Sequence, residues 1–175
     1  DNDLSVEGDV ANDNKWCGLE LKEYSFVNCS INLIWSGIGF NLHDSVLVSG
    51  ISESNVLHLR IRSGQITQEE MNSINSKFIN LNELIIDESV TIENEIIPSD
   101  FLKNHKEITS VTINCNIKSI ESFAFDKCDS LSLVNLSANV TSIGIGVFSD
   151  CKKLEEITVS SANLYYKSVD GVLFN

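Results

Sequence analysis

Three histidines and five cysteines are the first side chains to weigh for chemistry. They are His43, His58 and His105, and Cys17, Cys29, Cys115, Cys128 and Cys151. None of the histidines stands beside an evident nucleophile, and each reads as a surface or edge residue. No GxSxG, HExxH or Walker sequence occurs. Gly144-Ile-Gly146 lacks the strand-to-helix setting of a phosphate cradle and reads as glycine relieving a tight bend. Asp9, Asn12, Asp13 and Asn14 lack the spacing and the glycine of a calcium loop and read as solvated chain. The expectation is a protein with no catalytic residue, no metal site and no cofactor.

The cysteine count is odd, so at least one thiol has no partner within the chain. No CxxC occurs, and the density is far below that of a disulfide scaffold. Cys17 with Cys29 is the more favourable bridge, but the sequence does not fix their pairing. Asn28-Cys-Ser, Asn135-Leu-Ser and Asn139-Val-Thr are glycosylation sequons. In a chain this rich in Asn they arise by chance, and they matter only in a eukaryotic secretory host.

The elements that position these residues come from a repeat. Ile108, Leu131 and Leu154 are spaced by 23, as are Val111, Val134 and Ile157, and Ile113, Leu136 and Val159. The same offset of 23 joins Ile117 to Val140, Ile120 to Ile143, Phe125 to Phe148, and Cys128 to Cys151. Each unit opens with a period-two stretch, L-x-x-V-x-I, which predicts a short strand with one buried face. Phe-x-x-Cys then predicts a tight helical turn. One unit has too little apolar surface to fold alone, whereas stacked units bury it continuously.

Upstream the spacing widens. Leu81, Leu84 and Ile86 lie 27 residues before the Ile108 unit, and Val56, Leu59 and Ile61 lie 25 before that. Between them Thr67-Gln-Glu-Glu70 is a capping box, and Met71, Ile74 and Phe78 share one helical face. Leu21 to Cys29 mirrors Ile120 to Cys128, which predicts a degenerate N-terminal coil. Residues 37–55 do not fall into register. Residues 1–15 are rich in Asp and Asn and read as a flexible acidic tail. Val169-Asp170-Gly171-Val172 predicts a hairpin.

These residues resemble BspA-like, or Treponema-type, leucine-rich repeats. The resemblance is carried by Ala124-Phe125-Asp-Lys-Cys128-Asp-Ser-Leu131, by Val140-Thr-Ser-Ile143-Gly144 with Phe148-Ser-Asp-Cys151-Lys-Lys-Leu154, and by Asn163, Tyr166 and Gly171-Val-Leu-Phe. It covers 81–175 well and 18–80 loosely. His105 stands where Cys128 and Cys151 stand, Leu102 stands where the two Phe stand, and an insertion falls around Glu93–Pro98. The resemblance implies an α/β-type solenoid over 16–175, with short parallel strands, helical turns and a degenerate N-terminal part. It also implies a surface or secreted adhesion-type protein of a host-associated microbe, with a protein ligand such as a host surface or matrix protein.

In each strand the residues between the buried ones point outward. Stacking then makes three columns: His58, Glu83, Ser110, Leu133 and Glu156; Arg60, Ile85, Thr112, Asn135 and Thr158; and Arg62, Asp87, Asn114, Ser137 and Ser160. Ile85 and Leu133 are the apolar members. This outward strand face is the expected binding surface. Cys128 and Cys151 stack as well, but parallel side chains about 4.8 Å apart do not reach disulfide geometry easily. Both read as small buried hydrophobes.

The chain has 175 residues, enough for one domain with a sizeable core. Its net charge of −13 disfavours nucleic acid and anionic membrane surfaces. A hydrophobic content of 42% is too high for a disordered chain. No run approaches the roughly 20 apolar residues of a membrane span, and no secretory leader is legible. The expectation is a non-enzymatic protein-binding module, extracellular or at the cell surface. Two other readings stand beside it: a structural spacer, and the repeat portion of a larger enzyme whose catalytic domain lies elsewhere.

Overall fold

Apolar side chains recur at the same place in every repeat, so each unit buries them only by lying against the next. The computed structural model has this arrangement. It describes the backbone of residues 4–9 and 31–37, residue 54, and residues 56–175 in full. Seven strands form one parallel sheet in the order β1 (Leu4–Asp9), β2 (Ile31–Gly37), β3 (Val56–Ile66), β4 (Glu83–Ile92), β6 (Ser110–Ile113), β8 (Leu133–Leu136) and β10 (Glu156–Val159). A second parallel sheet holds β5 (Ile96–Ile97), β7 (Ser119–Ile120) and β9 (Ser142–Ile143). From β4 to β9 each coil gives one strand to the large sheet and one to the small sheet, and the core fills the space between them. Leu84, Ile86, Val111, Ile113 and Val134 enter it from the large sheet, and Ile97 and Ile120 from the small one.

The expected strand register holds where the 23-residue spacing is regular. Val111 lies opposite Val134 and Ile113 opposite Leu136. Phe125 stacks on Phe148 at 5.5 Å between ring centroids, with the rings 7° from parallel. Leu102 supplies no ring at its position, but its neighbour Phe101 meets Phe125 edge-on at 6.0 Å.

The helix expected after Thr67 is α1 (Gln68–Lys77). Its capping box is complete: the Glu70 carboxylate accepts from the Thr67 amide at 2.8 Å, and Thr67 Oγ1 accepts from the Glu70 amide at 3.2 Å. Met71, Ile74 and Phe78 are buried along one side. The later Phe-x-x-Cys segments are turns rather than helix. Phe123, Lys127 and Asp150 take positive φ angles, which interrupt any helical run. The insertion around Glu93–Pro98 is a short 3-10 turn over Glu93–Glu95 with Asn94 left-handed, set between β4 and β5.

Gly144 packs so closely that a Cβ there would lie 2.6 Å from the Ser122 backbone nitrogen. That is the tight bend read from the sequence. The C-terminal hairpin forms from β11 (Lys167–Val169) and β12 (Val172–Phe174). Asp170 and Gly171 both have positive φ, as a two-residue turn of mirror-image type requires.

The structure differs from the sequence reading at the N-terminus. Leu4–Asp9, inside the stretch expected as a tail, is a strand paired with β2. Leu4 and Val6 supply a short period-two pattern there that the Asp and Asn content masks. The degenerate coil expected over Leu21 to Cys29 lies outside the described residues. Cys17, Cys29, His43 and nearly all of 37–55 lie outside the described residues.

Candidate functional site

Period two fixes which side of a strand a residue occupies, and parallel register then aligns the outward residues into rows. The first expected row is continuous: His58 lies opposite Glu83, Glu83 opposite Ser110, Ser110 opposite Leu133, and Leu133 opposite Glu156. The second is continuous as well, through Arg60, Ile85, Thr112, Asn135 and Thr158. Ile85 and Leu133 are half-buried, so part of each apolar side chain is open to solvent.

Polar members of these rows bond sideways from strand to strand. His58 Nδ1 and Glu83 Oε2 are 3.1 Å apart, and Ser110 Oγ donates to Glu83 Oε1 at 3.3 Å. Asn135 Nδ2 donates to Thr112 Oγ1 at 3.2 Å, and Asn135 Oδ1 accepts from Thr158 Oγ1. Arg60 forks onto Asp87, with Nε at 2.7 Å and Nη2 at 3.2 Å from the carboxylate oxygens. That bidentate contact raises the Arg60 pKa further above its already high value. Such lateral bonds fix rotamers before any partner arrives.

The third expected row is broken at Arg62 and at Ser137. A register shift between Ile61 and Ser63 removes Arg62 from the place opposite Asp87. The extra residue is on β4, where Asp87 and Glu88 together face Arg62, and the Asp87 carboxylate is met by Arg60 instead. Asn114, Ser137 and Ser160 each fall just past a strand end. Ser137 is only 8% exposed, with its hydroxyl buried and unpartnered, so it presents nothing outward. The chain turns inward at the end of β8 towards buried Val140, and carries Ser137 with it.

A second feature of these two strands is hidden from the sequence pattern. β3 and β4 run on to Ile66 and Ile92, beyond the end of β6 at Ile113. The overhang leaves an open cleft of about 400 Å³ lined by Arg60, Arg62, Asp87, Glu88, Ser89 and Asn114. Glu88 and Ser89 lie outside the expected columns. Only the unequal spacing of the first repeats signals them.

Opposite the sheet face, the turns are tied by their own charges. Asp129 sits between Lys106 at 2.6 Å and Lys152 at 3.0 Å, which holds its carboxyl below the usual range. Asp126 in that region is 7% exposed rather than free at the surface.

His105 requires a correction. It is 4% exposed, not an edge residue, because it fills the column occupied elsewhere by cysteine. Its Nε2 lies 2.9 Å from the Phe78 carbonyl oxygen, which accepts its proton. Cys128 Sγ donates to the Leu102 carbonyl at 3.1 Å, and Cys151 Sγ to the Phe125 carbonyl at 3.0 Å. All three side chains satisfy a carbonyl of the preceding coil. Cys115, Cys128 and Cys151 are free thiols. Burial pushes Cys115 up to about 12. Cys128 is raised too, by its neighbour Cys151 and by burial. Cys151, in the last coil, is only half-buried.

Among the described residues no group of three or more His, Cys, Asp and Glu side chains is placed to hold a metal ion. None of their helices is long and apolar enough to cross a membrane. A comparison with curated proteins found no match. The family described as BspA type leucine rich repeat region matches residues 70–168 in six copies. That span is more than half of the chain and covers the parallel coils from β4 to β10. The chain therefore belongs to the BspA-type leucine-rich repeat family.

Proposed function

We propose that this chain is a non-enzymatic protein-binding module whose exposed sheet face receives a partner outside the cell or at its surface. The face belongs to a solenoid of stacked coils. One observation carries the reading: Ile85 and Leu133 stand half-open on a continuous face whose polar neighbours are already bonded to one another. Those neighbours are held in place, so a partner would order few side chains on docking. The two apolar residues lie two strands apart, about 10 Å. Covering the part of each side chain still open contributes less than the roughly 1.5–3 kcal/mol of a full burial. His58, Arg60 and Arg62 stand with Glu83 and Asp87 at the β3–β4 end, beside the cleft. Their charges would set association rate and salt dependence more than affinity. Family membership supports protein binding, and surface adhesion is the finer part of the proposal.

The test is capture of host surface and matrix proteins by wild type, by Ile85→Glu with Leu133→Glu, and by Lys153→Glu on the turn face. The double variant is expected to stay folded and lose the partner, while Lys153→Glu keeps it. Equal loss from both faces would refute the assignment. A double variant that unfolds would mean that these residues are core. Absence of any partner would favour the spacer reading.

A further inference from the structure

Two sequons fall among the described residues, and their surroundings differ. In Asn135-Leu136-Ser137 the Asn amide is held from both sides, by Thr112 at 3.2 Å and by Thr158. The Ser137 hydroxyl is buried. Asn139-Val140-Thr141 occupies the turn leading from β8 to β9. Asn139 and Thr141 are exposed, while Val140 between them is fully buried and anchors the turn. The Asn139 side chain takes part in none of the hydrogen bonds of the described residues. At the equivalent place one coil earlier, Asn116 gives its amide to Glu95 at 2.6 Å and has Lys118 rather than a hydroxyl residue two positions on. One coil later the position is Ala162. Asn139 alone in this column combines an unengaged amide with the required threonine.

We infer that Asn139 is an N-glycan acceptor when the chain enters a eukaryotic secretory pathway, and that Asn135 is not one in the folded protein. The biological setting of this inference rests on the extracellular reading above. The co-reactant is a lipid-linked oligosaccharide pyrophosphate. Asn139 Nδ2 bonds to the anomeric carbon, the bond from that carbon to the pyrophosphate oxygen breaks, the amide loses one proton, and the lipid pyrophosphate leaves. No oxidation or reduction occurs. The sugar then stands on the flank of the repeat, past the end of β8, and leaves the sheet face open. A sugar on Asn135 would instead crowd the Thr112 hydroxyl and break the polar row that crosses β6, β8 and β10.

The experiment is secretion of the full chain from cultured eukaryotic cells behind a cleavable leader. Peptide mass spectrometry after enzymatic deglycosylation in heavy-oxygen water then gives occupancy at each sequon. Asn139 should be occupied in most secreted molecules and Asn135 in essentially none. Asn139→Gln and Thr141→Ala should each lose that mass shift, and Thr141→Ser should keep it. An unoccupied Asn139 in secreted, folded wild type would overturn the assignment. So would a folded product glycosylated at Asn135. The leader supplies entry to the pathway, so either failure concerns these two sites. Failure of the extracellular reading would appear separately, as native protein confined to the cytosol.

Discussion

The carbonyl oxygen that closes each turn accepts a backbone N–H of its own coil and a second hydrogen bond from the next coil, which three different side chains of one column supply. Cys128 and Cys151 do so with a thiol, and His105 with Nε2. For His105 this assigns the proton to Nε2 and leaves Nδ1 buried without a partner. Protonating Nδ1 would create a buried charge with nothing to accept from it. Burial accordingly lowers the His105 pKa below 6.5, against smaller opposing contributions from the Phe78 carbonyl and Glu107. The folded state therefore prefers the neutral ring. Its contribution to stability is whole above pH 6.5 and is lost as pH falls from there through the lowered folded value. Urea unfolding between pH 7.5 and pH 5 should show wild type losing more stability than His105→Cys, which keeps a donor without the titration. Equal losses would refute this account. Phe125 belongs to the same scale. It is fully buried between Phe101 and Phe148, so Phe125→Ala should cost roughly 3–5 kcal/mol. Exposed Lys153→Ala should change the denaturation midpoint little.

Elements form here where a local signal and a stacking neighbour agree. α1 starts at a complete capping box and buries Met71, Ile74 and Phe78. Thr67→Ala removes the hydroxyl that caps the Glu70 amide and should cost about 1 kcal/mol, measured as a shift in the denaturation midpoint. An unchanged midpoint would mean that packing alone holds the helix start. The same contrast explains what the sequence could tell. Repeat spacing and period two gave β6, β8 and β10, the Phe stack and both continuous rows, since each follows from counting, whereas the two-residue strands β7 and β9 are too short to show a period. The bulge after Ile86 in β4 was not legible, because an added residue leaves the apolar pattern intact on either side of it. That one residue moved Arg62 out of the third row. Ser137 and Asp126 went inside although both are polar, because the turns direct them there. His105 reads from the sequence as a surface or edge residue, and it is buried. Its place in the cysteine column was visible, but the carbonyl it serves appears only in three dimensions.

At the scale of the whole molecule, stability should follow the number of neighbours a coil has, since each repeat touches only the units beside it. β6 and β8 are flanked by strands on both sides. β10 has β8 on one side, and on the other the C-terminal hairpin, where the Ile157 amide donates to the Gly171 carbonyl and Ser168 Oγ to the Ile157 carbonyl. The difference shows in burial: Val111, Ile113 and Val134 are shut away from solvent, whereas Leu154, Ile157 and Val159 are only partly covered. Less apolar area withdrawn from water means a smaller free energy of local opening. Native-state hydrogen exchange should therefore give the slowest amides in β4, β6 and β8, and faster exchange in β10 and the hairpin. Phe148→Ala should speed exchange mainly in the last coil, because Phe148 is itself half-covered and packs on Phe125 from one side. Phe125→Ala should speed exchange in the coils on both sides of it. If β10 proves as protected as β6, or if the two Phe variants loosen the same amides equally, the molecule unfolds as one unit and the neighbour-by-neighbour account fails.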